Sequence, residues 1–275
     1  MSLMLKLLAI TLLLSNLVQA DSSNKAIKDF FIKNIKKNPD IKSIDIKITK
    51  TLNIKGQKKW KAYFLTLDAV QKNNTPVSKS MLWFSDGKLI SQDIFDLKQG
   101  ANLQDLVAMP FDDKFYLKEN LIYGNVNAKH KVVIFSDPLC PFCRKFVPDA
   151  IKYMKDKPNK FAIYYYHFPL PGLHPASVVL VKAARALEIK GEKDVVLRLY
   201  NVTVNPREKS EKKILEAFNE EMHSNITIQE MNEQKVSKHI QNDLKIAEKM
   251  IVRGTPTMFF DSKLDKAKNK YKTAK

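Results

Sequence analysis

Between residues 24 and 38 the apolar positions Ile27, Phe30, Phe31 and Ile35 recur at helical spacing, and Pro39 ends the pattern, which predicts an amphipathic helix. The period then changes. Ile44, Ile46 and Ile48 alternate with Asp45, Lys47 and Thr49, the pattern of a strand with one buried face. Trp60, Ala62, Phe64 and Thr66 predict a second strand of the same kind, closed by the turn-forming run Lys72-Asn73-Asn74-Thr75-Pro76. Residues 81–84 and 88–95 flank Ser85-Asp86-Gly87, where Asp-Gly predicts a tight hairpin turn. Residues 21–98 therefore read as a small helix-plus-antiparallel-sheet domain. Trp60, Phe64, Trp83 and Phe95 are assigned to its core, and its exposed sheet edge suits pairing with a second copy.

Gly100 opens a connector in which Leu103, Leu106 and Val107 predict one or two helical turns before Met109-Pro110, so residues 99–120 read as a linker. Val132 to Phe135 is a continuous β-branched and aromatic run, the mark of a strand buried on both faces. A helix with Pro148 inside it follows, expected to kink there, and residues 161–166 predict a second central strand. Helices are expected over 176–189, 193–200, 209–219 and 230–250, an insertion spanning about 174–250 within a domain of residues 121–275. Met258-Phe259-Phe260 predicts a last short strand, and the lysine-rich tail 261–275 is expected to fray. The fold class is α/β in the second domain and α+β overall.

The formal charge is +18, but its lysines run from Lys25 to Lys275 interleaved with acids, and no aromatic-lined basic stripe accompanies them. A solvated basic surface attracted to acidic partners is expected, with no nucleic-acid partner. Residues 1–20 read as a cleavable secretory signal: Lys6, an apolar run from Leu7 to Leu14, then Val18-Gln19-Ala20 before Asp21. Export would place the chain where disulfides form and persist.

Against that address, the chain has two cysteines, Cys140 and Cys143, in Cys140-Pro141-Phe142-Cys143 at the start of a predicted helix. Unpaired N–H groups and the helix dipole at such a position stabilise a thiolate, and a stabilised thiolate is also a good leaving group. A zinc site needs four ligands, and there is no second cysteine pair, although His167 and His174 could be recruited. A structural bridge across two residues would restrain almost no loop entropy. Redox exchange is the expected chemistry, with no metal and no cofactor. The histidines His167, His174, His223 and His239 are read as isolated structural or surface residues. Arg253-Gly254-Thr255-Pro256-Thr257 before the last strand is a candidate cis-proline turn, with an ordinary trans turn as the alternative.

The order of these features resembles the thioredoxin fold, and the leader with the extra N-terminal domain narrows the resemblance to exported Dsb proteins. Phe135-Ser136-Asp137-Pro138-Leu139-Cys140 looks like the approach to the active site in DsbC and DsbG, and Trp83-Phe84-Ser85-Asp86-Gly87-Lys88-Leu89-Ile90 resembles their N-terminal hairpin. The resemblance implies a cystatin-like dimerisation domain, a linker helix and a homodimer. It implies that Cys140 is an exposed nucleophile, Cys143 the resolving thiol, Pro256 a cis-proline, and Thr255 part of the substrate groove. The active-site dipeptide Pro141-Phe142 departs from the Gly-Tyr of DsbC and is nearest the Pro-Tyr of DsbG. Ile134 stands where thioredoxin-like relatives carry a buried acid.

The function this implies is a periplasmic disulfide isomerase or reductase acting on unfolded or misoxidised exported proteins, kept reduced by a DsbD-like membrane protein. A dimeric oxidase reoxidised by a DsbB-like partner is one alternative. A holdase chaperone whose cysteines are secondary is another.

Overall fold

A computed structural model describes residues 22–275, so the secretory-signal reading of residues 1–20 lies outside the described residues. Two compact units result, one ending at residue 108 and the other running from 109 to 275.

In the first unit, helix α1 (residues 22–35) is followed by β1 (Ile41–Ile54), β2 (Gln57–Gln71), β3 (Pro76–Ser85) and β4 (Ile90–Ser91), antiparallel in that order. Ile27 and Phe31 of α1 pack on Ile46, Tyr63 and Leu65, and the Phe31 ring meets Trp83 edge-on at 5.1 Å. The β3–β4 turn is wider than the tight hairpin expected. Ser85 pairs with Ile90, so four residues close it, and Gly87 has a φ of +92°. Asp86 organises this loop by accepting from the amides of Lys88 and Leu89, the local bonding that favours aspartate in turns. Phe95, expected in the core, is 62% exposed. It lies in the two-residue strand β5 (Phe95–Asp96), which pairs only with β6 (Ala101–Asn102), so no layer covers it. Helix α2 (Leu103–Leu106) is a single turn capped by Asn102.

The second unit is built on a five-stranded sheet. Its strands are β7 (Leu121–Tyr123), β8 (His130–Ser136), β9 (Phe161–His167), β10 (Thr257–Phe260) and β11 (Lys263–Leu264), in the order β11-β10-β8-β9-β7. The central pair β8 and β9 is parallel, with Ile134 beside Tyr165 and Ser136 beside His167. A parallel pair needs a crossover, supplied by α3 (Pro141–Lys155) with Pro148 inside it. Alternate residues on these strands face two cores. Val132, Ile134, Ile163 and Tyr165 meet Val147, Ile151 and Met154 of α3. Val133, Phe135, Tyr164 and Tyr166 meet Phe111, Ile246 and Met250.

Phe111, in the segment read as a linker, is 2% exposed and touches the rings of Tyr116, Phe135, Tyr166 and Phe259, while its amide donates to Ser262 O. Gly124 sits between β7 and β8 with a φ of +85°, and a Cβ there would fall 1.9 Å from Phe161 O, so only glycine fits.

Between β9 and β10 the helices α4 (Ala176–Ile189), α5 (Val195–Leu199), α6 (Glu211–Met222), α7 (Ile228–Met231) and α8 (Gln234–Lys249) appear. Leu180, Ala184, Leu199, Ile214 and Phe218 form part of their own core. The tail does not fray as expected. Helix α9 (Lys270–Thr273) is held by Tyr271, which is 2% exposed and packs on Tyr153 and Phe146, and Asp265 accepts from the Lys270 amide. One anchored aromatic outweighs the surrounding lysines.

Candidate functional site

The turn that delivers β8 to α3 is fixed by Asp137. Its Oδ1 accepts from the Leu139 amide at 2.8 Å, and its carbonyl accepts from the Cys140 amide at 3.2 Å. Cys140 is the N-cap of α3, with extended backbone angles and no capping bond from its side chain. Pro141 occupies the first turn, where its missing N–H leaves no helix bond unmade. Cys143 follows one turn further in, and both cysteines are free thiols.

The two sulfurs have different surroundings. Cys140 Sγ lies 3.6 Å from Thr255 O and is 6% exposed. The resemblance implied an exposed sulfur. Instead Cys140 is buried with its sulfur against the carbonyl of the facing loop, and the exposed members of the motif are Pro141 and Phe142, the latter at 75%. Cys143 is fully buried, and that burial pushes its thiol up to about 12, against the smaller opposing pull of the neighbouring Ser136 and Thr255 hydroxyls and the Asp137 backbone. The buried Thr255 hydroxyl has no hydrogen-bond partner among the described residues. The Thr255–Pro256 bond is cis. The fold thus brings Cys140, Cys143 and Thr255 together, with Pro256 next in the chain.

Two groups near the cysteines find partners that no local sequence signal announces. The first is an acid. Ile134 leaves the usual acid position apolar, yet Asp137, three residues before Cys140, is fully buried. Its Oδ2 accepts from the Leu170 amide at 2.8 Å and lies 3.2 Å from His174 Nδ1. In the sequence His174 stands isolated. Instead it and Leu170 fasten the loop after β9 to the active-site turn. An aspartate before proline already points to turn chemistry, but its partners lie 33 and 37 residues away. The second group is a row of hydroxyls. Tyr200 OH donates to Ser136 Oγ at 2.6 Å and lies 2.8 Å from Tyr165 OH.

At the end of β9 and on α8, His167 and His239 also depart from the isolated reading. Asp243 on α8 is fully buried; its carboxylate accepts from the Asn120 side chain at 2.8 Å and from the His167 amide at 2.9 Å, with His239 Nε2 3.5 Å away. Glu188 and Arg185, 3.0 Å apart, complete the cluster. Burial pushes the Asp243 carboxyl up to about 8 and both imidazoles down to about 3, so the cluster is held without charge on these three groups.

The chain is similar to several solved structures. A thioredoxin-like oxidoreductase from Silicibacter pomeroyi DSS-3 is 22% identical, with 55% of this chain and 84% of that one covered at a TM-score of 0.44. ScsC of Proteus mirabilis in a compact conformation is 23% identical over 56% and 74%, at 0.45. Oxidised BdbD from Bacillus subtilis is 17% identical over 60% and 92%, also at 0.45. No curated protein matches. A family model described as thioredoxin matches residues 117–275, more than half of the chain and nearly all of the unit that holds the cysteines. This chain belongs to the thioredoxin family.

Proposed function

We propose that the chain is a thiol–disulfide oxidoreductase of exported proteins, acting as a dimeric disulfide isomerase or reductase of the periplasm. The observation that carries the reading is the arrangement of two free thiols across the first turn of α3, with Cys140 at the helix N-cap and Cys143 buried behind it. As a thiolate, Cys140 attacks a client disulfide and forms a mixed disulfide, which either a client thiol or Cys143 resolves. Exposed Phe142 and Leu173 offer apolar surface to an unfolded client, consistent with such substrates. Among the described residues no helix is long and apolar enough to cross a membrane.

The narrower DsbC/DsbG-like reading assigns dimerisation to the first unit, Cys140 and Cys143 to catalysis, and Thr255 and Pro256 to client binding. A DsbD-like reductase would maintain the pair. Insulin reduction and the reactivation of scrambled ribonuclease test these roles. The full chain is expected to do both, Cys140→Ala neither, and residues 109–275 alone only the first. A truncated chain that still sediments as a dimer would remove the first unit from dimerisation. Alkylation trapping in cells separates isomerase from oxidase: a mostly reduced pair fits the former, and a mostly oxidised pair fits the DsbB-dependent alternative.

A further inference from the structure

The buried thiol of Cys143 must lose its proton before it can attack, and the acid position at residue 134 is occupied by isoleucine. Three elements nevertheless bring hydroxyl groups close to this sulfur. Ser136 ends β8, Tyr165 stands on β9, Tyr200 follows α5, and Cys143 lies in the first turn of α3. All four are at most 4% exposed. Tyr165 OH and Tyr200 OH are 2.8 Å apart, and Tyr200 OH donates to Ser136 Oγ at 2.6 Å. Because Ser136 Oγ already accepts from Tyr200, its own proton is free, and Cys143 packs in the same buried core as Tyr165 and Tyr200, where Ser136 lowers the proton affinity of its sulfur.

Burial holds both phenols well above their ordinary range, so they stay protonated as donors at every working pH. The other titratable groups facing this pocket are Cys140 and Asp137, and the Asp137 carboxylate is already taken up by the Leu139 and Leu170 amides and His174.

We propose that the buried hydroxyl row Tyr165–Tyr200–Ser136 positions a hydrogen bond on the Cys143 sulfur and stabilises its thiolate during resolution of the mixed disulfide. This rests on the disulfide-exchange reading above. In the step itself Cys143 gives up its proton, its sulfur forms a bond to Cys140 Sγ, and the bond between Cys140 and the client sulfur breaks. The client leaves as a thiolate and takes up a proton, so one dithiol is oxidised and one client disulfide is reduced. A hydrogen bond strengthened along a row of hydroxyls acts on the charge only as it forms.

The test uses the full reduced chain and Ellman's reagent. The first release of chromophore reports attack by Cys140, and the second reports attack by Cys143 on the resulting mixed disulfide. In Tyr200→Phe and Ser136→Ala the second release is expected to slow roughly tenfold, the loss of a charge-assisted hydrogen bond. Its rate should still climb with pH in parallel to the parent chain, reaching the same value about one pH unit higher. Ser136→Thr should restore the parent rate, and Tyr165→Phe should give a smaller slowing of the same kind, which also guards against a misfolded Tyr200 variant. A second release in Tyr200→Phe and Ser136→Ala that coincides with the parent at every pH would overturn the inference. A parent chain that gives no second release would instead overturn the exchange reading beneath it.

Discussion

In the first unit, β1 alternates buried and half-buried isoleucines with exposed lysines and aspartates, and of β2 only Ala62 to Leu65 are buried on consecutive residues. In the second unit, every residue of β9 and the last five of β8 are buried. The difference shows what each sheet can carry. A sheet covered on both faces only over a short stretch leaves little interior in which to set a reactive group. A sheet covered on both faces holds polar atoms out of water, where burial shifts their proton affinities by several units. Cys143, Asp243, His167 and His239 all lie in the second unit for that reason.

Mutations that empty the doubly covered sheet should break this contrast most strongly. Phe135→Ala, at a fully buried ring, is expected to cost about 3–5 kcal/mol, whereas Ile48→Ala on half-buried β1 should cost well under half as much; equilibrium denaturation of the two variants checks it. Asp243→Ala strips a buried acceptor from the Asn120 side chain and the His167 amide and should cost about 1–3 kcal/mol. The same unfolding measurement reads it.

Proton linkage sharpens the comparison further. The Asp243 carboxyl is raised to about 8 from an ordinary value of 3.8, so its contribution is complete at acid pH and is lost as pH rises through about 8. His167 and His239, lowered to about 3, contribute fully above about 6.5, and that contribution is lost as pH falls toward 3. Denaturant midpoints followed against pH should therefore fall on both sides of neutrality, and Asp243→Asn should flatten the alkaline limb. An unchanged alkaline limb would show that the carboxylate is ionised in the folded chain. The smallest effect is expected at Phe95, 62% exposed, where Phe95→Ser should stay within about 0.5 kcal/mol in a thermal melt.

Local pattern carried much of this architecture. The unbroken run Val132 to Phe135 announced a central strand, and the two-residue spacing of Cys140 and Cys143 at a helix start announced the sulfur pair. Phe95 misled because an aromatic residue carries its burial preference into a strand two residues long, with nothing above it. The partners of Asp137, Ser136 and Asp243 were illegible for another reason. Tyr200 lies 64 residues from Ser136, and Asn120 lies 123 from Asp243, so only the closed chain brings their polar atoms together. Such pairs leave no period in the sequence.

The chain's two tryptophans, Trp60 and Trp83, both lie in the first unit, whereas eight of its nine tyrosines, all but Tyr63, lie beyond residue 108. The edge-on contact of Trp83 with Phe31 therefore makes indole emission a private reporter of the first unit's sheet. Tyrosine absorbance reports chiefly on the second unit. Without a label, a single unfolding experiment read in both channels would reveal whether the two units melt together or in sequence.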